Sequence, residues 1–190
     1  MEAFESFVAL AMEGEGLLTS GPHKFKVRRQ TRKVASDEFQ THGYEVDLVG
    51  IRKEKLVLAS VKSLFGSGGV FADRVMGKSA THSSQYKIIN DVELREEVAR
   101  QAAARFGFDY SEVELRLYAG KFASQRHEEE IRDWCSTQIV GSGPIGVFGA
   151  KEIVPVVLRE ARETQYRDSE VLATLKVLDS LSLLGAVDKP

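Results

Sequence analysis

The chain has 190 residues, of which 43% are hydrophobic and 28% are charged, and its formal net charge is -2. This length suits one domain with a sizeable core, and the near-neutral balance excludes a protein whose overall charge draws it to nucleic acid or membranes. A single cysteine, Cys135, excludes a disulfide framework and a multi-cysteine zinc site, and we interpret it as a buried core residue. Because no apolar run approaches the roughly 20 residues that span a bilayer and no leader pattern opens the chain, we expect a cytoplasmic protein without a membrane partner.

The first part of the chain predicts one helix followed by three strands. Residues 2–16 place apolar side chains on one helical face and end in glycines. Residues 23–33 alternate basic and apolar side chains, as a strand does. Residues 43–50 and 56–63 then predict an antiparallel pair of strands, joined by a charged turn at 52–55.

The remainder of the chain predicts helices interleaved with strands. A long loop rich in glycine and serine, which we expect to be flexible or functional, covers residues 65–84. The elements predicted after it are a helix at 85–106, a strand at 113–122, a helix at 126–138, a strand and a helix within 145–163, and a helix from 168 that Asp168 caps.

This order of elements predicts an α/β domain, in which helices flank both faces of a mixed β-sheet. We expect residues 1–153 to form its core. Residues 154–190 would form a C-terminal helical segment that packs on the same domain.

The antiparallel pair brings together side chains that suit chemistry on a phosphodiester. Residues two apart in a strand share a face, so Glu45, Asp47 and Val49 should point one way, and Ser60 and Lys62 should share a face of the next strand. Asp47 can then meet Ser60 or Lys62 across the ladder. Carboxylates and carbonyls are ligands that Mg²⁺ prefers, and a lysine can stabilise developing charge. An ordinary ion pair at the strand ends explains the same residues.

Several short motifs in this order resemble the PD-(D/E)xK nuclease superfamily. They are "FESFV" at residues 4–8, "GYEVDLVG" at 43–50, "LVLASVKS" at 56–63 and a following helix that opens with "QY" at 85–86. The similarity covers about residues 3–90. It implies a restriction-endonuclease-like fold, DNA as the partner, and Mg²⁺ or Mn²⁺ as the cofactor.

The resemblance also implies roles for individual residues. Asp47 corresponds to the metal-binding aspartate of the superfamily, and the backbone carbonyl of Val61 corresponds to a second metal ligand. Lys62 corresponds to the lysine that orients the attacking water. An acid on the first helix often completes the site, and Glu5 is the best match; Gln85 matches a glutamine that recurs on the helix after the lysine.

Ser60 departs from the superfamily, because a glutamate or aspartate normally stands at this position. A serine hydroxyl cannot supply the negative charge that holds a divalent cation. Either the acid is relocated, with Glu45, Glu5 and Asp73 as candidates, or the enzyme works with fewer carboxylates. Alternatively, the site is inactive and the fold binds DNA without cutting it.

Two groups of basic residues are candidates for contacts with DNA phosphates. Those in the predicted strand at 23–33 are Lys24, Lys26, Arg28, Arg29, Arg32 and Lys33; those in the glycine-rich loop are Arg74 and Lys78. Our first hypothesis is therefore a metal-dependent DNA endonuclease, for which the resemblance also suggests a homodimer. The alternatives are an inactive nuclease-like module that binds DNA or protein, and a soluble α/β protein whose strand pair is accidental.

Overall fold

A computed structural model describes residues 2–30, 39–164 and 168–184. Its helices are α1 (Ala3–Gly14), α2 (Ala72–Val75), α3 (Lys87–Asn90), α4 (Val92–Phe106), α5 (Gln125–Ser136), α6 (Ala150–Arg162) and α7 (Glu170–Ser180). Its strands are β1 (Leu18–Ser20), β2 (His23–Gln30), β3 (Phe39–Val46), β4 (Leu48–Arg52), β5 (Lys55–Lys62), β6 (Val113–Ala119), β7 (Ile139–Val140), β8 (Gly143–Pro144) and β9 (Gly146–Gly149). Short 3-10 turns cover Ser83–Tyr86 and Tyr110–Glu112.

Five of the strands form one mixed sheet in the order β1-β4-β5-β6-β9. The pairs β1–β4 and β4–β5 are antiparallel, whereas β5–β6 and β6–β9 are parallel. Strands β2 and β3 form a separate antiparallel hairpin, and β7 and β8 form a second, very short one. The predicted α/β class and the mixed sheet flanked by helices are confirmed.

Strand β5 lies at the centre of the molecule and is buried on both faces. Val57, Ala59 and Val61 pack in a cluster with α1, α6 and α7, whereas Leu56 and Leu58 pack in a second cluster with α4, α5 and the β2–β3 hairpin. A strand covered on both sides is apolar at nearly every position, which explains its sequence. Helix α6 crosses the predicted boundary between residues 153 and 154, and it packs together with α7 in the cluster that contains α1.

The strand predicted at residues 43–50 is in fact two strands, and that part of the prediction is wrong. Strand β3 pairs with β2 along its whole length, from His23–Val46 to Gln30–Phe39. Strand β4 pairs with β5, and Asp47 lies between β3 and β4. Glu45 and Asp47 therefore do not share the face of one continuous strand. The alternation of side chains cannot reveal a change of pairing partner, because both strands keep a period of two.

Two other predicted elements differ in detail. The helix predicted at 85–106 is broken at Asp91, whose side chain accepts a hydrogen bond from Leu94 N and begins α4. Ser169 rather than Asp168 caps α7, through a hydrogen bond from Leu172 N to Ser169 Oγ.

The glycine-rich loop predicted at 65–84 contains α2 and a buried anchor. Val70 N donates to Lys121 O at 2.8 Å, and Ala123 N donates to Val70 O at 2.9 Å. These bonds fasten the loop beyond the end of β6. Among the described residues, none of the helices combines the length and the apolar character needed to cross a membrane.

Candidate active site at the end of strand β5

Asp47 and Lys62 meet where β5 ends. Asp47 Oδ2 accepts a hydrogen bond from Val61 N at 2.6 Å and lies 3.4 Å from Lys62 Nζ. Lys62 Nζ also donates to Val61 O at 3.1 Å. The ammonium therefore lies between a carboxylate oxygen and a carbonyl oxygen. The side chains of Lys62 and Asp47 are 20% and 18% exposed, so the pair is shielded from water but still accessible to a substrate.

The backbone of Asp47 is held on both sides. Its N–H donates to Ala59 O at 3.1 Å, which continues the pairing of β4 with β5. On the other side lies Gly21, where a Cβ atom would stand 2.3 Å from Asp47 O and 3.1 Å from Leu48 Cα. Only glycine fits at this distance. Gly21 was not predicted as a site residue, because no local pattern in the sequence indicates that residue 21 lies against residue 47.

A cleft of about 170 Å³ opens beside Lys62. Three further residues that the sequence nominated line it, namely Glu45, Ser60 and Gln85. The other lining residues were not predicted from the sequence; they are Gly43, Tyr44, Ser84, Lys87 and Ile88. Lys87 adds a second ammonium to the cleft, so the cleft suits an anionic ligand.

The segment that carries Gln85 and Lys87 reaches the cleft through an irregular turn. His82 has a left-handed backbone conformation with φ 65°, and the 3-10 turn follows directly. Asn90 Nδ2 donates to Ser83 O at 3.1 Å and to Arg74 O at 3.2 Å, which fastens the turn to α2. A helical pattern that starts at residue 85 gives no indication of this geometry.

The three acids nominated in place of the one absent at Ser60 have other partners or other positions in the described structure. Glu45 lines the cleft, but its Oε2 lies 3.4 Å from Lys24 Nζ in an ion pair. Glu5 Oε2 accepts a hydrogen bond from Glu2 N at 2.9 Å and caps helix α1. Asp73 lies exposed in α2 and does not line the cleft. Across residues 2–30, 39–164 and 168–184, no three Asp, Glu, His or Cys side chains form a group that could hold a metal.

Two oxygen atoms that could bind a metal nevertheless lie close together. The ammonium of Lys62 is within hydrogen-bonding distance of both Asp47 Oδ2 and Val61 O. Mg²⁺ is usually bound through only one or two carboxylates together with substrate phosphates, and it keeps several waters. The donor set therefore fits a cation that is shared between protein and substrate. It does not form a cage made of protein ligands alone.

The exposed face of the β2–β3 hairpin continues into the cleft. Lys24, Lys26 and Arg28 point outward, whereas Phe25 and Val27 between them are buried. Directly paired residues of two antiparallel strands share a face. The register pairs Lys24 with Glu45 and Lys26 with Gly43, and both partners line the cleft. A basic surface thus leads to Lys62.

The other predicted DNA-binding residues lie in different surroundings. Arg29 points to the opposite face of the hairpin, where its Nη1 and Nη2 donate to Asp91 at 2.5 and 3.1 Å. The hydrogen bonds to Asp91 raise the pKa of Arg29 further above its ordinary value, so it anchors the hairpin to α4 as a cation. Arg74 lies over the ring of Phe71, and Lys78 is exposed; neither lines the cleft.

Arg32 and Lys33, the remaining two of the predicted basic group, lie outside the described residues. Comparison with known proteins adds no relative to this description of the site: no protein-family model, no curated protein and no solved structure matches the chain.

Proposed function

We propose that the chain is a DNA endonuclease with a restriction-endonuclease-like fold that requires Mg²⁺ or Mn²⁺. The observation that supports this most strongly is the convergence of the Asp47 carboxylate, the Val61 carbonyl and the Lys62 ammonium beside a cleft. The basic face of the hairpin adjoins this cleft and suits a phosphate backbone. The succession of α1, the antiparallel strands β1, β4 and β5, helix α4 and the parallel strand β6 supports the fold.

Asp47 and Lys62 divide the chemistry in this proposal. A divalent cation bound by Asp47 Oδ2, Val61 O and a substrate phosphate would neutralise phosphoryl charge and acidify a water. Lys62 then donates hydrogen bonds to the attacking water and to the charge that develops on the phosphoryl oxygens. The Ser60 hydroxyl and the Gln85 amide provide neutral groups in the same cleft that position the substrate.

The test compares Asp47→Asn and Lys62→Met with the wild-type chain. Each is incubated with Mn²⁺ or Mg²⁺ and with duplex, single-stranded, junction and flap DNA. We expect wild-type cleavage that needs the metal, and a loss of about 100-fold or more in either variant. DNA affinity should persist in both. Asp73→Asn is the matched control, because this acid lies outside the cleft, and it should cleave as the wild type does.

A second candidate function is a DNA-binding module that does not cut. The observation in its favour is that, among the described residues, no three Asp, Glu, His or Cys side chains form a group that could hold a metal. This alternative predicts salt-dependent DNA binding that survives Lys62→Met, together with intact DNA in every metal-containing reaction. A chain that neither binds nor cuts DNA would contradict both candidates.

The proposed endonuclease would cut both strands of a duplex most simply as a homodimer, which places one centre on each strand. Sedimentation equilibrium in the presence of a short duplex measures how many chains bind one duplex. A single chain per duplex, with one strand nicked, would contradict the dimer but not the cleavage.

A further inference from the structure

A second cavity lies on the other side of the carboxyl end of β5. Its volume is about 330 Å³, and its lining residues are Glu2, Ala3, Phe4, Phe7, Ser63, Phe65 and Val154. The rings of Phe4 and Phe65 meet edge to face, with 5.3 Å between their centroids. Phe65 is also 56% exposed. The walls are therefore mainly aromatic, and one of them faces solvent.

The cavity is close to the candidate active site along the chain. Val61 packs on the side of α1, whereas Lys62 lines the cleft on the opposite side, so the cavity and the cleft open on two faces of one strand end. Phe65 follows Lys62 by three residues, which span at most about 10 Å. That distance corresponds to about three steps of axial rise along one strand of stacked DNA.

Gly120 determines where Phe65 lies. A Cβ atom at Gly120 would come within 2.2 Å of Ser63 O and 2.7 Å of the Phe65 ring. The absence of that atom lets Phe65 lie across the end of β6. The aromatic wall is thus packed closely against the backbone of the fold. It lies next to the ends of two parallel strands, where ligands of α/β proteins commonly bind.

The chemistry of the cavity specifies its occupant. The aromatic walls favour a flat molecule with apolar faces, and the hydrogen bond from Ser63 Oγ to Glu2 Oε2 at 3.2 Å marks one polar edge. Three lysines lie close to the cavity along the chain. Lys62, whose side chain lines the cleft, precedes the lining residue Ser63; Lys121 follows β6, and its Nζ donates to Ser67 O at 3.1 Å; Lys151 precedes Val154 by one turn of α6. These cations suit an occupant that is attached to phosphates.

We propose that this cavity binds an unstacked nucleobase of a single-stranded segment whose backbone reaches Lys62. The inference rests on the proposed function and adds a substrate class to it, namely DNA with overhangs, flaps or other unpaired stretches. Bases stack on aromatic side chains with little sequence preference. Loss of one such contact lowers affinity by roughly 5- to 150-fold.

The test measures the affinity of the full chain for two DNAs by fluorescence anisotropy in EDTA, so that no cleavage occurs. One is a blunt duplex and the other is the same duplex with a single-stranded overhang. We expect tighter binding of the overhang, a gain that Phe65→Ala abolishes while its affinity for the blunt duplex stays unchanged. Ile139→Ala is the matched control, because Ile139 is 59% exposed and lies in β7, outside the cavity; it should behave as the wild type.

A second measurement uses only the wild-type chain and therefore does not depend on how a variant folds. 5-Iodouracil is placed at successive positions of the overhang and irradiated, and the crosslinked peptides are identified by mass spectrometry. We expect crosslinks to the peptides that contain Phe4, Phe7 or Phe65. Crosslinks confined to the β2–β3 hairpin, or a blunt duplex bound as tightly as the overhang, would overturn this inference and leave the proposed function standing. Failure to bind either DNA would overturn both.

Discussion

Gly21 has no side chain, and this lets the backbone of Asp47 lie against it. Any Cβ at residue 21 would stand 2.3 Å from Asp47 O. We expect Gly21→Ala to displace Asp47 from Lys62. Overpacking of this kind costs about 1–3 kcal/mol of unfolding free energy. Single-turnover cleavage should slow while DNA affinity is retained, and urea unfolding measures the stability.

Gly143→Ala is the matched control for this substitution, since no atom lies within 4 Å of a Cβ at Gly143. It should change neither the cleavage rate nor the stability. If Gly21→Ala also leaves both unchanged, the position of Asp47 does not depend on this contact.

Glu114 makes stability depend on pH. Burial raises its pKa, but hydrogen bonds from Arg116 and Lys55 outweigh burial and bring the pKa below its ordinary value of 4.5. Because the native state holds this proton less tightly than the unfolded state, the carboxylate stabilises the fold above about pH 4.5, and this contribution is lost as the pH falls through the native pKa. Glu114→Gln should therefore be destabilised near neutral pH and approach the wild type in acid.

Urea unfolding at about pH 7 and about pH 3 measures this difference for Glu114→Gln. The exposed Glu54, in the turn between β4 and β5, provides the comparison through Glu54→Gln. Equal effects of the two substitutions at both pH values would show that the ion pairs of Glu114 do not stabilise the fold.

At the scale of elements, Asp91 joins helix α4 to the β2–β3 hairpin. One carboxylate caps α4 at Leu94 N and also accepts two hydrogen bonds from Arg29. We expect Asp91→Ala to lower the free energy of unfolding by about 2–4 kcal/mol, because a cap contributes about 1 kcal/mol and a hydrogen bond to a charged group contributes up to about 3 kcal/mol. Asp91→Asn keeps the cap and one acceptor, so its effect should be smaller.

Amide hydrogen exchange distinguishes the two contributions of Asp91. Loss of the anchor should speed exchange in β2 and β3 in the Asp91→Ala variant more than in Asp91→Asn. If the two variants exchange alike, Arg29 does not hold the hairpin to α4.

The elements that the sequence predicts best are those whose buried positions form a regular apolar pattern within the element itself. Strands β5 and β6 and helix α5 follow from local patterns, and the meeting of Asp47 with Lys62 follows from the register that pairs Leu48 with Ala59. The change of partner at Asp47 was not predictable, because the alternation is the same in β3 and β4. Lys87 and Gly21 were missed for a related reason, since long-range turns and contacts bring them to the site.

At the scale of the whole molecule, a chain with net charge -2 nevertheless presents three exposed basic side chains, Lys24, Lys26 and Arg28, on one face of the β2–β3 hairpin. The logarithm of DNA affinity falls with the logarithm of salt by about 0.9 per phosphate contact. Replacing Lys24, Lys26 and Arg28 by glutamine should therefore lower this slope by up to about 3 units. Anisotropy titrations at several salt concentrations measure it.

Lys53→Gln is the control for the hairpin, because Lys53 is 90% exposed in the β4–β5 turn, at the opposite end of β5 from Lys62. Its salt slope should match that of the wild type. An unchanged slope in the triple variant would place the phosphate contacts elsewhere on the protein.

The lengths of the outer strands of the five-stranded sheet affect how two chains can associate. The strand at one edge, β1, has three residues, and the strand at the other, β9, has four, whereas β5 in the interior has eight. A short edge offers few unpaired N–H and C=O groups, which limits the addition of strands from another molecule and so opposes aggregation. We therefore expect that a homodimer of this chain would associate through helices or loops, and that its five-stranded sheet would not continue from one protomer into its partner.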